Sequence, residues 1–243
     1  MNICRPDPSR ESSLAALRKL VRAIERPGEN ERTRVLTTGD ACLDAALPEG
    51  GIAMGALHEI VGPFADPAAN GFALTLIGKL CERGGHFIWC RPKHSDALLG
   101  IPYGPGLKRF GIIPSSLTLV EVKHRDEVLW AMEECLKGKG LAAVYGEDVR
   151  LDLTSSRRLQ LAAEASGVTA IVLLSPNQHP PPSAALSRWR VCSSASPPER
   201  PFSSRWDLTL ERCRGGSTRR WNVEWDEAAL AFRMATPVSD PSA

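Results

Sequence analysis

Leu57 to Phe72, LHEIVGPFADPAANGF, is the stretch whose residue types and spacing come closest to a chemical site. An apolar strand, Leu57 to Val61, runs into a Gly62-Pro63 turn, and a helical pattern follows from about Asn70 and Gly71. That is the layout of a phosphate-binding loop. A working loop reads G-x-x-x-x-G-K-[ST]: glycines let backbone N–H groups close on the phosphates, Lys meets the terminal charge and the hydroxyl holds Mg²⁺. Counted from Gly62, the last three places hold Pro67, Ala68 and Ala69, and a loop two or three residues longer puts Gly71 or Phe72 at the Lys place. No register restores the Lys. Asp66 adds a negative charge that opposes a polyphosphate. Gly62, Pro63, Asp66, Pro67, Asn70 and Gly71 therefore predict a nucleotide-binding scaffold that holds no nucleotide in the usual way, and no cofactor is expected.

Other candidate chemistry is thinner. Cys81, His86, Cys90 and His94 fall within one short segment, but it reads as a helix end, a turn and a buried strand, so the four side chains should diverge rather than surround a zinc ion. His58 and Glu59 sit inside an apolar strand and read as packed residues, not as a catalytic pair. Ser175 has no recognisable His and carboxylate partners, and no G-x-S-x-G surrounds any serine. Lys79 follows Gly78 about two helical turns past the loop, too far along to replace the missing Lys. No metal site and no catalytic residue is expected.

The elements that must position the loop read as α/β. Strands are expected at 57–61, 86–90, 117–122, 141–146 and 169–175, and helices near 71–83, 94–99, 125–137 and 154–166. Strand and helix alternating at this spacing predict crossover connections and a mostly parallel central sheet flanked by helices. HFIWC, LTLVEV, LAAVY and TAIVLL are nearly continuous apolar runs, as a sheet covered on both faces requires. After Ser175, Pro176 and Pro180-Pro181-Pro182 predict a surface connection. RWRV, WDLTLERC, RRWNVEW and LAFRMA then predict short antiparallel strands extending the sheet, with a hairpin turn at Arg214-Gly215-Gly216-Ser217. The organisation expected is a helix and linker over 1–34, a core over 35–235 that includes the hairpin, and a disordered tail over 236–243.

A chain of 243 residues, 43% hydrophobic and 24% charged with formal net charge +2, suits one soluble globular domain with appendages and argues neither for a polyanion binder nor for disorder. Its seven cysteines form no C-x-x-C pair, which is the usage of a reducing compartment; with no leader pattern at Met1 and no long apolar run, a cytoplasmic location is expected.

Two segments could meet partners. Leu14, Leu17, Val21 and Ile24 recur at helical spacing between Asp7-Pro8 and Pro27-Gly28, forming an apolar stripe on a helix otherwise rich in Arg and Lys. The stripe either packs on its own domain or docks on another subunit or partner. From Ala184 to Asn222, Arg188, Arg190, Arg200, Arg205, Arg212, Arg214, Arg219 and Arg220 stand against Glu199, Asp207 and Glu211, with Trp189, Trp206 and Trp221 interleaved. Arg and Trp are over-used at interaction hot spots. The alternative is a solvated hairpin whose Trp rings pack on the sheet.

These residues carry a resemblance that spans most of the chain. Val35 to Pro63, VLTTGDACLDAALPEGGIAMGALHEIVGP, resembles the opening of a RecA-type core, T-G-x-x-x-L-D-x-x-L-x-x-G-G-[IL]-x-x-G, with Thr38, Gly39, Leu43, Asp44, Leu47, Gly50, Gly51 and Gly55 all in place. With the lost Lys, the GHFIWCRP strand, the S-R-W-R-V segment and the arginine-rich hairpin, the chain resembles the ImuA family, RecA-like accessory proteins of inducible mutagenesis. The resemblance implies a non-catalytic role in SOS-induced, error-prone translesion DNA synthesis. It implies as partners an ImuB-like Y-family polymerase homologue, through it an error-prone C-family DNA polymerase, and RecA itself as a further contact. DNA affinity is expected to be weak and salt-sensitive at most. A RecA-like repair ATPase and a SulA-type cell-division inhibitor are the alternative readings.

The same resemblance shows what ATP hydrolysis lacks. The water-activating Glu of RecA-type enzymes follows the second strand, where Arg91, Pro92 and Lys93 stand; the Mg²⁺ carboxylate ends a later strand, where Glu147 and Asp148 come one or two places late; the place of the sensor Gln holds Ser175 and Pro176, with Gln178 in a Pro-rich loop. Removing one such group costs about 10²–10³ in rate, so an efficient ATPase is not expected. In RecA-like filaments a Lys-x-Lys pair reaches the neighbouring nucleotide, and Arg212-x-Arg214 holds the similar place.

Overall fold

The computed structural model describes residues 34–236 apart from 64–65, 83, 94–99 and 175–179. The expected helices over Leu14–Ile24 and 94–99, Gln178 and nearly all of the 236–243 tail lie outside the described residues.

The chain opens with a small antiparallel pair, β1 (Val35–Leu36) and β2 (Ile52–Ala53), around a short helix α1 (Ala41–Asp44). Asp40 caps α1 by accepting from the N–H groups of Cys42 and Leu43, and Asp44 accepts from Thr38 N–H at 2.8 Å. Then come β3 (Leu57–Val61), α2 (Ala68–Cys81), β4 (His86–Pro92), α3 (Gly104–Lys108), β5 (Leu117–Val122), α4 (Glu127–Leu136), β6 (Leu141–Val149), α5 (Leu153–Ser166) and β7 (Thr169–Leu174). Four strands follow, β8 (Ser187–Ser193), β9 (Ser204–Cys213), β10 (Arg219–Asp226) and β11 (Ala231–Met234). They build one nine-stranded sheet in the order β11-β10-β9-β8-β3-β7-β6-β4-β5. From β8 to β5 every neighbour is parallel, and from β8 to β11 every neighbour is antiparallel. This is the α/β architecture expected from the sequence.

Two details differ from expectation. RWRV is antiparallel to β9 but parallel to β3, so it closes the parallel half of the sheet as well as starting the antiparallel one. LTLVEV is not covered on both faces: β5 is the edge strand, bonded to β4 alone, and Thr118, Leu119 and Glu121 are exposed. An apolar run alone does not separate an edge strand from a central one; its Thr118 and Glu121 were the available signal.

The core divides by sheet face. On one face α2 carries Phe72, Leu76, Ile77 and Leu80 against Trp189, Val191, Leu208 and Phe232; on the other α4 and α5 lay Val128, Met132, Leu136 and Leu159 over Leu57, Val144 and Val172. α2 is buried nearly all round, which is why its sequence shows little amphipathic contrast. Phe72 sits in an aromatic cluster, 5.3 Å from Trp189 and 5.8 Å from Phe232 between ring centroids, and Phe232 meets Trp225 at 5.1 Å. Such contacts contribute about 0.5–1.5 kcal/mol each beyond area burial, and here they fasten the antiparallel extension to the loop-bearing helix.

Candidate functional site

The turn after β3 and the first residues of α2 carry the stretch that resembles a phosphate loop in sequence. Gly62 lies so close to α2 and β8 that a Cβ there would be 2.5 Å from the Ala69 Cβ and 3.1 Å from Val191 O, so only glycine fits. α2 begins at Ala68, earlier than the helical pattern near Asn70 and Gly71 suggests. The cause is Asp66. Its Oδ1 accepts from Ala68 N–H at 2.9 Å and from the Ser193 hydroxyl at 2.5 Å, and its Oδ2 accepts from Ser193 N–H at 2.8 Å. A helix N-terminus attracts anions through its unpaired N–H groups and its dipole. Here the chain supplies the anion itself and ties it to the end of β8. Burial raises the Asp66 pKa, but the hydrogen bonds from Ser193 and Ala68 outweigh it, and the carboxyl lies below its ordinary value. Asp66 is thus more than the repulsive charge that its sequence position suggests.

Behind the loop lies a buried polar knot. β6 continues to Val149, so Glu147 falls inside the strand and is fully buried, rather than trailing it. Arg91, on β4 where the resemblance places a water-activating Glu, is equally buried, with its Nε 3.3 Å from Glu147 Oε2. Trp89 Nε1 donates to Glu147 Oε2 at 3.2 Å, Asn70 Nδ2 to Glu147 Oε1 at 3.3 Å, and the Tyr145 hydroxyl to Asn70 Oδ1 at 3.4 Å. Arg91 Nη1 also donates to Gly100 O at 2.9 Å. The Tyr145 pKa is pushed well up, by burial first and by the Glu147 charge second. Asn70 from α2, Arg91 from β4 and Glu147 from β6 form one network. Gly71 serves packing, since a Cβ there would be 2.9 Å from the Trp206 ring.

Other candidates that the structure describes lie apart from this knot. His58 is buried: its Nε2–H donates to Ala53 O and its Nδ1 accepts from the Ser187 hydroxyl, each at 2.7 Å. Burial lowers its pKa to about 4, the Ala53 bond opposing this in part. Glu59 pairs with Arg188 at 2.5 Å, directly across β3 and β8. Lys79 lies 3.9 Å from Glu82, away from the loop. Among the described residues no group of three or more His, Cys, Asp or Glu could hold a metal ion, and no helix is long and apolar enough to cross a membrane.

No family model matches the chain. Two curated relatives align with it, Protein ImuA of Caulobacter vibrioides strain NA1000/CB15N and Protein ImuA of strain ATCC 19089, each 33% identical over 241 residues that span 88% of this chain and 93% of the relative. The chain belongs to the ImuA family.

In this ImuA-family chain the arginines of the C-terminal strands fall into two groups. Most are engaged across the sheet: Arg188 with Glu59, Arg190 with Glu211, Arg205 and Arg200 with Glu224, and Arg220 with Asp207 at 3.1 Å. Arg212 Nη1 donates to Ser183 O at 2.5 Å and holds the connection before β8. Trp221 points into the core, 6.0 Å from Trp189 between ring centroids. Its alternation with Val223 and Trp225 was the signal that placed it there. Arg214 and Arg219 are the members of the set that stand exposed at the β9–β10 turn with no ion pair among the described residues. The sequence counts charges of one sign in a segment; the fold neutralises most of them with acids from β3, β9 and β10.

Proposed function

We propose that this chain is a non-catalytic, RecA-like accessory protein of SOS-induced, error-prone translesion DNA synthesis in the cytoplasm. It acts as a binding scaffold for an ImuB-like Y-family polymerase homologue and, through that protein, for an error-prone C-family DNA polymerase; RecA is a further partner. Family membership supports the pathway. The single observation that carries the non-catalytic reading is Asp66, whose carboxylate stands at the N-terminus of α2 where a phosphate would sit. Two unit charges of like sign 4 Å apart repel by about 4 kcal/mol at an effective dielectric of 20, and no loop Lys offsets this. Arg91 and Glu147 reinforce the reading, because each neutralises the other where hydrolysis would need a free base and a metal ligand.

The surface offered to partners is the β9–β10 turn with Arg214 and Arg219. The test is co-purification of the tagged full-length chain with the ImuB-type protein of the same organism, with and without the C-family polymerase. Recovery of ImuB alone, and of the polymerase only when ImuB is present, is the expected pattern. Recovery of neither, with filamentous growth on overexpression, would move the chain to the division-inhibitor reading.

A further inference from the structure

The nine-stranded sheet ends in two edges of different kinds. β11 is four residues long, its exposed Arg233 is paired with Asp226, and its Phe232 N–H donates to Thr38 O at 3.4 Å, so the opening segment of the described chain covers part of it. Shortness, charge and a covering segment are common ways of blunting an edge. β5 lacks them but for one charge, Glu121. Over its six residues, LTLVEV, the pairing with β4 runs from Phe87 opposite Leu117 to Pro92 opposite Val122 without a register shift, no Lys or Pro interrupts it, and among the described residues it pairs with no other strand. Val120 and Val122 pack on the α4 side of the sheet and Leu117 on the α2 side, so alternation puts Leu119 on the α2 side too. Leu119 is 36% exposed there, and its apolar neighbours are more so. Ile113, 66% exposed, precedes the Pro114–Ser116 turn that leads into β5. Tyr103, 71% exposed, precedes Gly104, where a Cβ would be 3.5 Å from Pro114. Ile101, 71% exposed, follows Gly100, whose carbonyl accepts from Arg91, the β4 residue opposite Glu121. An open strand edge is thus bordered by exposed apolar side chains.

We propose that β5 is a dimerisation edge: two copies of this chain pair antiparallel along it and join their sheets into one. The strand is self-complementary in one register. A two-fold axis perpendicular to the sheet at Leu119 keeps every side chain on its own face and places Leu119 against Leu119 of the second copy, Thr118 against Val120 and Leu117 against Glu121. Leu119 then leaves water, and Thr118 meets a β-branched residue across the strands. The charges decide the direction. In this register the two Glu121 carboxylates lie four residues apart along the strands, about 14 Å, which exceeds the Debye length of about 8–10 Å. A parallel pair in register would set them side by side, and so would an antiparallel pair centred on Glu121, where like charges oppose pairing. A strand pair alone is narrow against the roughly 800 Å² per partner of a stable interface; Ile101, Tyr103 and Ile113 flank it and widen the contact.

The test measures the mass of the purified full-length chain in solution by sedimentation equilibrium across the micromolar range. A species of twice the 26.4 kDa chain mass is expected. Leu119→Lys, at an exposed edge position, should shift it to the monomer while leaving the circular dichroism unchanged. Leu119→Cys treated with a short thiol cross-linker should give a covalent dimer, whereas Glu121→Cys and the wild-type chain, with its exposed Cys42, should not. A wild-type chain that stays monomeric throughout would overturn the proposal, as would a dimer that Leu119→Lys leaves intact. Should Leu119→Lys fold poorly, the cross-linking decides: a covalent dimer no more abundant for Leu119→Cys than for Glu121→Cys would overturn the proposal equally.

Discussion

Asp66 accepts three hydrogen bonds from Ala68 and Ser193 and so holds the start of α2 to the end of β8. Asp66→Ala is expected to destabilise the chain by about 0.5–2 kcal/mol, the range for losing a helix-capping side chain, as read by urea denaturation. Unchanged stability would mean that these bonds do not survive in solution. His58 and Asp66 both contribute to the response to acid. His58 has a folded pKa of about 4 against an ordinary 6.5, so between those values the unfolded chain binds the extra proton and stability falls as pH falls, by up to about 1.4 kcal/mol per pH unit. Asp66 is depressed, so its contribution is present above the ordinary carboxylate pKa and is lost only at lower pH. Denaturation at pH 7, 6 and 5 should show the His58 slope, and NMR should show its ring still neutral at pH 5. A ring that titrates near 6.5 would contradict the buried Ala53–His58–Ser187 arrangement.

At the scale of elements, α2, β4 and β6 are held together where Asn70, Arg91 and Glu147 meet. Breaking one partner of a buried ion pair leaves a charge stranded and costs about 3–5 kcal/mol, while replacing both with apolar residues is often far milder. Glu147→Leu and Arg91→Met should therefore each be more damaging than the double variant, as a double-mutant cycle in urea would measure; simple additivity would show that the two do not interact. The strands of this assembly were legible from continuous apolar runs bounded by turn residues. The loop's lack of Lys was legible too. What could not be read were the pairings made by register: Glu59 and Arg188 are brought together only because β3 lies beside β8, and Asp66 and Ser193 because α2 starts at the end of β8. α3, written GPGLK, is too short and too rich in Gly and Pro to show a periodic pattern.

For the whole molecule, the fold converts an arginine-rich sequence into a largely self-neutralised sheet face and leaves Arg214 and Arg219 outside it. Arg214→Glu with Arg219→Glu should leave the unfolding free energy within about 0.5 kcal/mol, as for surface changes in general, and reduce co-purification with the proposed ImuB-type partner several-fold. Equal recovery would remove this turn from the binding surface. On the proposed reading a nucleotide-type scaffold is kept for its surfaces, with the Asp66 carboxylate at the start of α2 in place of a phosphate. Equilibrium binding of a fluorescent ATP analogue with Mg²⁺ to the purified full-length chain, with unlabelled ATP as competitor, tests it most directly. No competable binding up to millimolar nucleotide is the predicted result; competable binding in the micromolar range would contradict it and return the chain to the ATPases.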